Sequence, residues 1–150
     1  MIRNNSELEK ATTRIKAEEK RIEQMRKGLF AEGLKPQEVK RALDPMISFH
    51  LQLVEEVEAF ERLQRGEFDD FINLQGIGRL LISLRIYRGL TQRGFAARIG
   101  VHESQVSRDE RNEYHGITVG RVMVILEILG AKVSSTVDVS DLPAPGRIAV

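Results

Sequence analysis

The sequence predicts a mainly α-helical protein with one short strand near its end. Three observations carry that prediction. Apolar residues recur at helical spacing through residues 6–66 and again through residues 76–131. Glycine, proline and capping residues fall where those helices should stop and start. A single segment, 132–139, alternates apolar and polar side chains instead.

In the first stretch Leu8, Ile15, Ile22 and Leu29 recur every seven residues, Ala11 and Met25 fill the seam, and Glu18 interrupts it. That period predicts a helix packing along a coiled-coil-like stripe. The segment FAEGLKPQE supplies Gly33 and Pro36 for a turn. Val39, Leu43, Met46, His50, Leu53, Val57, Phe60 and Gln64 then step by four and three, which predicts a second helix. Asp44-Pro45 lies inside it and reads two ways: a cap and a fresh start, or one helix with a kink. Residues 1–70 are therefore expected to form a helical hairpin, either a plain scaffold or an arm for dimerisation or partner binding. His50 sits on the apolar stripe and is expected in a core or interface.

The segment GEFDDFINLQ reads as a joint before a second unit at 71–131. Four helical signatures follow. IGRLLISLRIYRG places Ile77, Leu80, Leu81, Leu84 and Tyr87 on one face and ends at Gly89. TQRGFAARIG opens on Thr91, a capping residue, carries Phe95, Ala96 and Ile99, and stops at Gly100. The third, GVHESQVSRDER, has only Val101 and Val106 as aliphatic residues. ITVGRVMVILEILG offers Ile117, Val122, Ile125 and Leu129 and ends at Gly130. In residues 132–140, Val133, Ser135, Val137 and Val139 alternate with Lys132, Ser134, Thr136 and Asp138, which predicts a half-buried strand. With no second strand evident, it is expected to add to another copy of the chain. Residues 141–150 are expected to be a mobile tail.

Composition narrows the function. No run approaches the roughly 20 apolar residues that span a bilayer, and MIRNNSELEK has no apolar signal core, so a cytoplasmic protein without membrane contact is expected. There are no cysteines, which excludes disulfides and thiolate metal sites. Residues 1–75 carry 13 basic and 15 acidic side chains, whereas residues 76–131 carry 8 and 5, and all 8 of those bases are arginine. Arginine presents a fixed fork of donors suited to phosphate and base edges. Glu55, Glu56, Glu58 and Glu61 form an acidic face on the hairpin that should keep it off a polyanion.

The third signature is so poor in apolar residues because it needs little burial. Two short helices joined by a glycine-containing turn form a helix-turn-helix. Val101 and Val106 pin the second helix against Phe95, Ala96 and Ile99, and its polar face stays free for a major groove. The combination of GLTQ, A..IGV, QVSR.E and ILG at these spacings resembles the Cro/CI-type (XRE) helix-turn-helix domain across residues 76–131. The resemblance implies a lambda-repressor-like bundle of four or five helices and dimeric, sequence-specific DNA binding. It implies base-reading positions at Glu103, Ser104, Gln105, Ser107 and Arg108, with Glu103 suited to a cytosine amino group and Arg108 to guanine. It places Gln92, Arg93, Arg111, Asn112 and His115 near phosphates, with Gln92 also bracing the reading helix. It also implies a structural ion pair between Arg85 and Glu110.

The sequence departs from the pattern at three places. Gly94 stands where a glutamate often completes a capping box, His102 replaces the usual hydroxyl cap, and Asp109 stands where an apolar residue is common. The Asp109 side of the helix is accordingly expected to be less buried. Plainer readings sit beside the functional ones. Glu103 equally suits a helix first turn as a favourable charge, and the plainer reading of Arg108, the lesser of its two, is a solvated surface arginine. His102 and His115 have no second ligand at metal spacing, and Gly76–Gly78 lacks the fingerprint of a nucleotide loop. No cofactor, no metal and no catalytic group are expected. The expectation is a dimeric repressor on double-stranded DNA. The alternatives are an antitoxin whose hairpin holds a toxin partner, or a helical adaptor.

Overall fold

The computed structural model describes residues 1–141 and is all-helical. Six helices follow in order: α1 (Asn5–Ala31), α2 (Pro36–Gln64), α3 (Ile77–Tyr87), α4 (Gln92–Ile99), α5 (Glu103–Arg111) and α6 (Val119–Leu129). No described helix is long and apolar enough to cross a membrane.

Helices α1 and α2 form an antiparallel hairpin about 40 Å long at 1.5 Å per residue. Asn4 caps α1 by accepting from the Glu7 N–H (2.9 Å), and Glu7 returns the bond to the Arg3 N–H (2.8 Å). Gly33, at φ 86°, closes the turn, and Glu38 accepts from the Lys35 N–H to start α2. Helix α2 runs unbroken through Pro45. Proline deprives the Arg41 carbonyl of its helical partner, but both residues are exposed, so water replaces the lost bond. The stripe between the helices is thin. Ile22 alone is buried in α1, and Val39, Leu43 and Phe60 in α2. His50 is mostly covered, with Nε2 3.7 Å from Glu19 Oε1.

The base of the hairpin merges with the rest of the chain. Ile2 and Phe60 belong to one buried cluster with Leu81, Ile82, Leu84, Ile86, Phe95, Val106, Tyr114, Ile125 and Leu129. Helix α3 is the axis of that cluster, since Leu81 through Ile86 are all buried. Its face is therefore wider than the single stripe expected. Tyr87 lies instead half-exposed, edge-on to Phe68 of the joint at 5.7 Å between ring centroids. Gly78 lets α3 approach the chain after α5, because a Cβ there would lie 1.8 Å from the Glu113 carbonyl oxygen.

The strand expected at 132–139 does not form, and there is no strand among the described residues. Val137 is 86% exposed. Alternation defines a strand's two faces but supplies no ladder partner, and an unpaired strand is not stable. The tail expected to be mobile, 141–150, lies outside the described residues except for Asp141.

Candidate nucleic-acid interface

The short pair α4–α5 owes its geometry to its ends. Thr91 Oγ1 accepts from the Gly94 N–H (3.0 Å) and opens α4. With glycine at 94, no carboxylate completes a box. Gly100 closes α4 in the left-handed region (φ 73°), where glycine carries no Cβ penalty. His102 then caps α5, its Nδ1 accepting from the Ser104 N–H at 3.2 Å. The Ser104 hydroxyl lies 2.9 Å from the same nitrogen.

Two buried residues hold α5 to the protein. Val106 is fully buried, and Glu110 is 0% exposed beneath it. Arg85 Nε and Nη2 both donate to the Glu110 carboxylate, the latter at 2.9 Å. Gln92 Nε2 donates to the same carboxylate at 2.7 Å. Arg85 Nη1 donates to the Leu90 carbonyl (2.6 Å) and Nη2 to the Arg3 carbonyl (3.2 Å). The pair is thus bonded on nearly every polar atom, the condition under which a buried ion pair is tolerated. It also ties α3, α4, α5 and the N-terminal segment to one point.

The opposite face of α5 is free. Ser104, Arg108 and Arg111 lie at helical spacing on the side away from Val106 and Glu110, and all three are exposed. Arg93 is exposed on α4. Each end of α5 borders a groove. One, of about 420 Å³, is lined by Glu103, Gln92, Thr91 and residues Arg3 to Ser6. The other, of about 790 Å³, is lined by Arg111, Asn112 and His115 together with Gly76 to Arg79. Of the residues named for phosphate contact, Gln92 lies at one end of α5 and Arg111, Asn112 and His115 at the other. Gln105 and Ser107 are half-buried on its flanks.

Asp109 corrects one expectation. Its side chain is only 18% exposed, because Arg121 of α6 donates to Oδ2 at 2.6 Å and Gln105 Nε2 donates to Oδ1 at 2.8 Å. A charged clamp here joins Asp109 of α5 to Arg121 of α6. Arg121 was not a sequence candidate. The only local sign of it was an acid at a position where the resemblance implies an apolar residue.

Tyr114 was also missed. It is buried beside the end of α5 after two left-handed residues, Glu113 (φ 48°) and Tyr114 itself (φ 54°). Burial first, then the Glu110 and Asp109 carboxylates, push its hydroxyl well above the ordinary tyrosine range. Among the described residues no three His, Asp or Glu side chains are placed to hold a metal ion.

Comparisons with protein-family models, with curated proteins and with solved structures gave no match for this chain.

Proposed function

We propose that this chain is a sequence-specific double-stranded DNA-binding transcriptional regulator, acting as a dimeric repressor in the cytoplasm through a helix-turn-helix formed by α4 and α5. One observation carries the reading. A nine-residue helix is fixed from beneath by Val106 and the Arg85–Glu110 pair while its whole outer face, Ser104, Arg108 and Arg111, is polar and uncovered. A helix kept in place with so little apolar area suits insertion into a major groove, which admits one helix. Exposed arginines at 93, 98, 108 and 111 supply charge for phosphates. Arg108 is positioned for a bidentate contact to guanine, and Glu103 and Ser104 for base edges near the helix start. For dimerisation, the exposed Val119, Met123 and Val124 of α6 are a second candidate surface beside the hairpin.

Selection from random duplex DNA tests the reading. The expected result is an enriched inverted repeat with half-sites about 10 base pairs apart, and affinity that falls steeply with salt. Arg108→Ala should lose about 1–3 kcal/mol of binding and relax preference at one base pair. Salt-insensitive binding, or a variant with unchanged preference, counts against it.

The antitoxin reading rests on the hairpin. Met25, Phe30 and Leu51 are exposed apolar residues on an arm that buries little of its own surface. Its test is co-purification with the product of an adjacent short reading frame, lost on Phe30→Asp. The adaptor reading predicts instead that the free face of α5 tolerates Arg108→Ala with no change in DNA affinity.

A further inference from the structure

Asp109 sits on the flank of α5 between the buried side and the free side. Its two oxygens are occupied by two groups that a DNA surface otherwise attracts, the Gln105 amide and the Arg121 guanidinium. Gln105 lies one turn before Asp109, so the same helix flank carries both. Arg121 lies in the first turn of α6, where the Thr118 hydroxyl accepts from its backbone N–H at 3.3 Å. Its side chain remains 42% exposed, so it reaches solvent once Asp109 releases it.

We propose that Asp109 is a specificity-determining positioning residue, which withholds the Gln105 amide from base edges and the Arg121 guanidinium from phosphate. The proposal rests on the DNA-binding reading above. A glutamine amide reads adenine with one N–H to N7 and its oxygen to the N6 amino group, which requires the amide to be turned toward the base edge. Here Nε2 donates to the Asp109 carboxylate at 2.8 Å, a charge-assisted bond that holds the amide along the helix flank. The guanidinium is likewise neutralised at short range. Gln105 is therefore silent in the native chain, although its type and position mark it as a base reader. Removing the carboxylate frees both groups without placing any new atom in the groove.

Selection from random duplexes tests this with four full-length proteins: wild type, Gln105→Ala, Asp109→Ala and the double variant. Wild type and Gln105→Ala should enrich the same sequence. Asp109→Ala should add about a ten-fold preference for an adenine-containing pair at one position in each half-site. Its log–log salt slope should steepen by about 1.8 for the dimer, about 0.9 for the phosphate that Arg121 gains in each subunit. The double variant should lose the new preference and keep the steeper slope, an outcome that general loosening of α5 does not produce. If Gln105→Ala alone alters the preference, Gln105 reads a base in the native chain and the proposal fails, whether or not Asp109→Ala folds. An Asp109→Ala protein that keeps the wild-type preference and slope also overturns it, and leaves the DNA-binding reading standing. A wild type that enriches no sequence overturns both.

Discussion

The hairpin and the four-helix unit behind it are built from helices of opposite economy. Helix α1 is 27 residues long and buries Ile22 alone, whereas α3 is 11 residues long and buries seven, from Gly78 to Ile86. The difference is one of enclosure. Each hairpin helix has a single neighbour along most of its length, so one stripe is all that can be covered. Helix α3 is surrounded by α2, α5 and α6, and nearly every side chain on it is shielded. Length therefore says little about where this molecule is stable. The hairpin is secured chiefly at its base, where Ile2 and Phe60 enter the common core.

The largest effect should come from the point where the unit is tied together. Glu110→Ala leaves the Arg85 guanidinium buried without its counter-charge, and should destabilise the protein by about 3–5 kcal/mol. A denaturant titration reads this directly. A loss below about 1 kcal/mol would mean that water or the Leu90 and Arg3 carbonyls suffice for Arg85.

Next comes a cut made only in the hairpin. Leu43→Ala removes one of the few fully buried side chains between α1 and α2 and should cost about 2–4 kcal/mol locally. Hydrogen exchange should accelerate along α1 and α2 above the base, and stay protected in α3 to α6. Uniform acceleration across the whole chain would erase the contrast between the two regions.

Gly78→Ala probes the close approach within the unit. The added methyl meets the backbone carbonyl of Glu113, which has no flexible end to yield. A loss of about 1–3 kcal/mol is expected, read as a lowered Tm with unchanged far-ultraviolet circular dichroism. A change of Gly28→Ala, where no atom lies near, should instead be neutral or slightly stabilising.

The smallest effect appears only in alkali. The fold raises the pKa of Tyr114 above its ordinary value of 10.0. In the unfolded chain the phenol ionises first, so above about pH 10 the unfolded state binds fewer protons and stability falls as pH rises. Tyr114→Phe should leave stability at pH 7 almost unchanged and flatten that alkaline decline. Identical pH profiles for the two proteins would show that the phenol is as well solvated as in the unfolded chain.

The pattern of the sequence was informative where a single helix decides its own shape. Glycines at 33, 100 and 130 mark turns, each in the left-handed region, and Thr91 caps the helix that follows it. These are local matters of φ and of unpaired N–H groups, which a few adjacent residues settle. The alternating valines of 132–139 show the limit of the same reasoning. Their period is right for a strand, but a strand is an interaction between segments, and no second segment is beside them.

What the sequence by itself determined, then, is which stretches are helical, where they stop, and that GVHESQVSRDER is a helix with one face to spare. What only the tertiary structure decided is how that face is divided. It settles that Ser104, Arg108 and Arg111 point outward, that Gln92 donates to Glu110, and that Asp109 holds Gln105 and Arg121. Residues three and four apart meet on any helix, so periodicity reveals them. Asp109 and Arg121 meet only because the loop after α5, with Glu113 and Tyr114 at positive φ, brings the first turn of α6 beside Asp109. That loop conformation is disfavoured for both residues locally and is held by the burial of Tyr114, a consequence of the assembled core.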